Sequence, residues 1–107
     1  MADRPRFETA ELAESVDDLE VVDHHLARDS QTGNADLTLI VRKSDPYGGG
    51  FKLRVRVHKD FYQFQNRASA ELWTGTGWSE VARRDGFAET TELCASHLVD
   101  VARDVVA

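Results

Sequence analysis

The sequence predicts an α+β domain: a short N-terminal helix, a mostly antiparallel sheet of four or five strands, and a long C-terminal helix packed across one sheet face. Three observations carry this expectation. Apolar and basic residues alternate without a break through Phe51-Lys-Leu-Arg-Val-Arg-Val-His58. A Thr74-Gly-Thr-Gly77 centre separates two strand-like runs that each meet it with a tryptophan. Between Phe87 and Val105 the apolar residues recur at steps of four and three.

The alternating segment is the most informative. A strand turns its side chains to opposite faces every two residues. Phe51, Leu53, Val55 and Val57 therefore enter a core, and Lys52, Arg54, Arg56 and His58 line the opposite face. In the hairpin, a loop of two or four residues places Trp73 opposite Trp78, Glu71 opposite Glu80 on the same face, and Ala70 opposite Val81 on the other. A glutamate pair beside two tryptophans makes that face at least partly wet.

Upstream, Ala10, Leu12, Ala13 and Val16 sit among glutamates and predict a helix from about Thr9 to Val16, with the first six residues expected to be disordered. Residues 19–28 are ambiguous. Ser15 with Asp18 resembles a capping box, and Val16, Leu19, Val22 and Leu26 would form a helical stripe. The turn cluster at 29–34 and the clear strand Leu37-Thr-Leu-Ile-Val-Arg-Lys43 instead favour a strand over Glu20–Arg28, in a hairpin with residues 35–43. Ser44-Asp-Pro-Tyr-Gly-Gly-Gly50 is a turn by composition. No Gly-Lys-Ser/Thr follows its glycines and no helix begins there, so it lacks the makings of a phosphate loop.

The C-terminal helix is expected over Phe87–Val105, with Phe87, Thr91, Cys94, Leu98, Val101 and Val105 on the sheet side. Leu93, Val99 and Val106 fall off that stripe and suggest a homodimer through this helix.

At 107 residues, 41% hydrophobic and 30% charged, the chain fits a single globular domain. No apolar run approaches the roughly 20 residues that cross a membrane, and the polar start lacks a signal-peptide pattern, so a cytoplasmic location is expected. The lone Cys94 excludes an internal disulfide. Cys94 and His97 would sit on neighbouring helical turns, where a nucleophile or ligand pair is conceivable, yet a core cysteine is the ordinary outcome.

The net charge of −6 argues against general binding to nucleic acid. Its distribution is two-sided. Residues 8–23 carry seven carboxylates and no lysine or arginine, whereas residues 42–59 hold Arg42, Lys43, Lys52, Arg54, Arg56 and Lys59 against Asp45. The acidic segment could mimic a polyanion.

Asp23-His24-His25 offers metal-binding residue types, but adjacent histidines diverge on a strand or a helix, and His58, Asp60, His97 and Asp100 could join only through tertiary folding. Nucleophile-elbow, paired-histidine and dinucleotide motifs are lacking. No metal, cofactor or catalytic residue is expected. The basic strand with Phe61, Tyr62, Phe64, Trp73 and Trp78 has the ingredients of a single-stranded nucleic-acid platform. Trp, Tyr and Arg also dominate protein interfaces, and with the negative overall charge a protein partner is favoured. The reading is a non-enzymatic interaction module whose contacts are Lys52, Arg54, Arg56, Tyr62, Trp73 and Trp78. Its alternatives are a nucleic-acid binder using the same face and a small metal-dependent enzyme around His24 and His25.

The segment from Phe51 to Val81 resembles the strand and Trp-hairpin region of small accessory proteins carried by actinobacteriophages, of mycobacteriophage type. Ten arginines against three lysines, with abundant Ala, Asp and Val, suit a high-GC genome of that kind. The resemblance implies accessory or host-directed binding of a host or viral protein rather than chemistry, and it transfers no functional residue.

Overall fold

The computed structural model describes residues 7–60 and 65–106. In chain order they form α1 (Ala10–Ser15), β1 (Glu20–Arg28), β2 (Ala35–Lys43), β3 (Phe51–Lys59), β4 (Arg67–Trp73), β5 (Trp78–Asp85) and α2 (Thr91–Val106). The five strands make one antiparallel sheet in the order β1-β2-β3-β4-β5, so each strand pairs with the next in sequence. This is the α+β architecture the alternation and the helical spacing predict.

Alternation decides which face is buried. Leu37, Leu39 and Val41 of β2, Leu53, Val55 and Val57 of β3, and Ala68 and Ala70 of β4 all turn inward to α2, which supplies Cys94, Ala95, Leu98, Val99 and Ala102. Leu12, Val16, Leu19 and Phe87 close the same core. The alanines of β4 are small where α2 crosses, which lets the helix approach closely.

α1 is a single capped turn and a half. The Thr9 hydroxyl accepts from the Leu12 amide at 3.4 Å, and Val16 ends the helix, so Thr9 and Val16 bracket it rather than belong to it. It leans on α2 through polar contacts that hydrophobic patterning does not reveal. Glu92, 1% exposed at the start of α2, accepts from the Thr9 amide at 2.8 Å. Buried Ser96 donates to the Glu11 carbonyl at 3.2 Å and lies 2.7 Å from the Ser15 hydroxyl. Arg103 then holds the exit of α1, donating to the Ser15 carbonyl at 2.9 Å and to both Asp18 carboxylate oxygens at 2.7 and 2.6 Å.

β1 is a strand, with a bulge that explains its helical look. The register skips between Val21 and Asp23, so Val22 is unpaired and exposed while Val21, His24 and Leu26 face the helix side. One extra residue converts a two-residue period into an apparent step of three. A second bulge shifts the hairpin: Trp73 pairs with Trp78 and Glu71 with Glu80 as expected, but Ala70 pairs with Ala82, leaving Val81 as the extra residue. The loop closes with the Thr74 amide donating to the Gly77 carbonyl at 2.9 Å, and Gly75 takes φ of 97°. In the β2–β3 turn, a Cβ on Gly50 would lie 2.4 Å from the Lys43 carbonyl oxygen, so only glycine fits there.

α2 starts later than the spacing predicts. Phe87 is buried in the link after Gly86, and the Thr90 hydroxyl accepts from the Leu93 amide at 3.2 Å just ahead of the first turn. Its buried side also departs from the predicted stripe. Thr91, Cys94 and Leu98 are buried, but Val101 and Val105 are 50% and 56% exposed, while Val99 is fully buried. At about 100° per residue the buried arc centres on Ala95, Leu98, Val99 and Ala102, to one side of the predicted stripe, so Val101 and Val105 fall at its edge. Val99 is therefore core and cannot serve a dimer surface; the exposed apolar side chains near the helix end are Val101 and Val105. No helix among the described residues is long and apolar enough to cross a membrane.

The link from β3 to β4 is held by Asn66, 2% exposed. Its Oδ1 accepts from the Asp60 amide at 2.7 Å, its Nδ2 donates to the Phe87 carbonyl at 2.7 Å, and its own carbonyl accepts from the Gly86 amide at 2.8 Å. One side chain thus clasps the entry of β4 to the entry of α2.

Candidate binding face

Among the described residues both helices lie on one side of the sheet, which leaves the other side without a helix. Register arranges its side chains in rows across the strands. Asp23, Ile40, Arg54, Glu71 and Glu80 form one row; His25, Thr38, Arg56, Ser69 and Arg83 the next; Ala27, Asp36, His58, Arg67 and Asp85 the third. Above the first row stand Glu20, Arg42 and Lys52, beside the Trp73–Trp78 pair.

Five of the six contacts expected from the sequence meet here. Trp73 and Trp78 touch edge to face, with ring centroids 5.3 Å apart and planes at 64°. The Lys52 ammonium lies 6.0 and 5.8 Å from the two ring centroids, and the Arg54 guanidinium carbon 4.6 Å from that of Trp78. Arg56 stands on the same face one row away. Tyr62, with Phe61 and Phe64, lies outside the described residues.

Glu71 organises this cluster, a role the sequence reading gave only as a partner for Glu80. Arg54 donates to it through Nε at 3.0 Å and Nη2 at 3.1 Å, and Arg56 Nη2 reaches Oε1 at 2.9 Å. Its side chain is 12% exposed. The Arg54 hydrogen bonds, with Arg56 nearby, hold the Glu71 carboxyl below its ordinary range despite the opposing effect of burial. Arg54 is consequently clamped between a carboxylate and an indole, a rigid element on an otherwise mobile class of side chain. The face carries both signs throughout: Glu20 pairs with Arg42 through contacts of 2.6 and 3.0 Å, His58 Nδ1 lies 2.7 Å from Asp36, and Arg83 donates to Asp85 at 3.0 Å.

The groups weighed for metal or nucleophilic chemistry are dispersed. His24 turns toward the helix side against Phe7, with ring centroids 4.8 Å apart, while His25 and Asp23 are exposed on the open face. Among the described residues no three His, Cys, Asp or Glu side chains gather as a metal site would require. Cys94 is fully buried, and burial pushes its thiol up to about 11, far from a nucleophilic thiolate. His97 points the other way, its Nδ1 2.7 Å from Arg84 Nη1.

Comparison with protein families, curated proteins and solved structures found no match for this chain.

Proposed function

We propose that this chain is a non-enzymatic interaction module that docks a partner protein on the open face of its sheet, as an accessory protein of the actinobacteriophage kind acting on a host or viral protein in the host cytoplasm. The observation that carries the reading is the clamped cluster of Lys52, Arg54, Trp73 and Trp78 on the sheet face opposite the two described helices. Aromatic and arginine side chains held rigid before binding lose little conformational freedom on docking, which is what makes such residues dominate interface energetics.

Charge decides between protein and nucleic acid. A polyanion laid across this face would meet Glu20, Asp23, Asp36, Glu80 and Asp85, and the carboxylate of Glu71 already offsets one of the two central arginine charges. Phosphate-driven affinity needs an excess of cations. A protein surface, itself of mixed sign, complements such a mosaic.

The test is capture from an actinobacterial lysate by the native chain and by a Lys52→Glu, Trp73→Ala double variant, with mass spectrometry of what is retained. We expect one protein partner to be held by the native chain and lost by the variant, which should remain folded with a melting temperature lowered by no more than about 10 °C. Capture that ignores the double substitution overturns the docking face. Tight binding to single-stranded oligonucleotides that collapses with added salt would replace the protein partner with nucleic acid.

A further inference from the structure

Below the tryptophan cluster the open face has a concavity of about 440 Å³. Its floor is Ser69 on β4, flanked by Arg56 on β3 and Arg83 on β5 in the same row. Neighbouring strands are about 4.8 Å apart, so a short hydroxymethyl group between two long cationic side chains leaves a dimple on the order of 10 Å across. Arg67 and His58 bound it on one side, and Glu80 and Asp36 complete its rim.

A guanidinium offers five N–H donors. Arg56 directs Nη2 to Glu71 and Arg83 directs Nε to Asp85, leaving donors on both. Among the described residues, exposed Arg67 has no ion pair and the half-buried Ser69 hydroxyl has no hydrogen bond. The carboxylates are further committed: both Glu71 oxygens serve Arg54 and Arg56, Asp85 takes Arg83, and Asp36 takes His58. Glu80, exposed at the rim, offsets part of the positive field of Arg83. Arg67 is thus the lining guanidinium without a carboxylate partner among the described residues, and it stands beside the spare donors of Arg56 and Arg83. A planar monoanion satisfies this arrangement, whereas a phosphate dianion would overshoot the available charge.

We infer that the Ser69 dimple seats one carboxylate group of the partner protein, an anchor that sets the partner's register on the face. This deepens the docking reading and rests on it. Bound carboxylate oxygens would accept from the Arg67 guanidinium, from the spare N–H groups of Arg56 and Arg83, and from the Ser69 hydroxyl.

The experiment is an NMR titration of the full chain with sodium acetate at constant ionic strength, with sodium chloride and sodium phosphate as parallel arms. It follows the backbone amide of Ser69 and the Nε–H of Arg56, Arg67 and Arg83. We expect saturable shifts with acetate, weakened roughly tenfold by Arg67→Gln, abolished by Ser69→Phe, and strengthened by Glu80→Gln. Shifts that fail to saturate, or that chloride reproduces, overturn the site, as does saturation by phosphate alone. Lysate capture of the Ser69→Phe variant separates this inference from the reading beneath it. If acetate does not bind while Lys52→Glu, Trp73→Ala still abolishes capture, the dimple fails and the docking face stands. If acetate binds as expected but no partner depends on the face, the docking reading fails instead.

Discussion

Glu71 lies directly across from Arg54 in the β3–β4 register and grips its guanidinium through both carboxylate oxygens, so the charge that the alternating strand presents outward is partly spent inside the face. The cationic strand is thus a braced surface rather than a loose row of side chains.

Replacing Glu71 with Gln should loosen the brace. A charge-assisted pair this sheltered contributes about 1–2 kcal/mol, which chemical denaturation resolves. The same change should release the Arg54 ring contact, read as a shift in the near-ultraviolet signal of Trp78. An unaltered denaturation midpoint would show that the pair is only superficial.

The pH dependence follows from the sign of the Glu71 shift. Its folded-state pKa lies below the ordinary 4.5, so the carboxylate stabilises the fold above that pH and the contribution fades as pH falls through the lowered folded value. The stability gap between the native chain and Glu71→Gln should therefore be full at neutral pH and shrink progressively below about pH 4.5. A gap that stays constant into strong acid contradicts the pairing.

Asn66→Ala removes the donor to the Phe87 carbonyl and the acceptor for the Asp60 amide in a nearly sealed position. We expect a loss of roughly 2–4 kcal/mol. Asn66→Asp should also be costly, since a carboxylate cannot donate to the Phe87 carbonyl. Equal stability of native chain and Asn66→Ala, measured by thermal melting, would dismiss the clasp.

Leu98→Asp and Val101→Asp separate the two sides of α2. Leu98 is 1% exposed and Val101 50%, so the first change should unfold the domain by burying an unpaired charge and the second should leave the melting temperature within a few degrees. Light scattering of Val101→Asp also reports on a dimer through this helix: if the native chain is dimeric there, this variant should be monomeric and folded.

Severing Arg103 from Asp18 tests how α1 is held. Asp18 is half exposed, so Asp18→Asn should cost under ~1 kcal/mol. Arg103→Leu also strands the Ser15 carbonyl and should cost more. Amide exchange in α1 is the sensitive readout, and protection unchanged from the native chain in both variants would refute the tether.

Much of the fold was legible because binary patterning acts locally. The alternation at 51–58 predicts which side chains of β3 enter the core, and the Thr74–Gly77 centre predicts the Trp73–Trp78 pair. Patterning is least informative where one residue alters a period. The bulge at Val22 gave β1 a helix-like spacing although the strand over Glu20–Arg28 was the preferred reading, the bulge near Val81 moved Ala70 onto Ala82, and the buried arc of α2 lies to one side of the expected stripe, leaving Val101 and Val105 outward and Val99 inward. Asn66 and Glu92 escaped notice because their partners, Phe87 and Thr9, are remote in sequence.

The sequence by itself determined the order of elements, the buried face of each central strand, and the sign and composition of the outward row Lys52, Arg54, Arg56, since those follow from side-chain chemistry and a two-residue period. Only the tertiary structure decided that Glu71 restrains two of those cations, that Arg54 stacks on Trp78, and that Arg56, Ser69, Arg67 and Arg83 enclose a donor-rich dimple. Those relations depend on lateral register between strands, which bulges and turns set, and no local pattern encodes which side chains of separate strands will share a row.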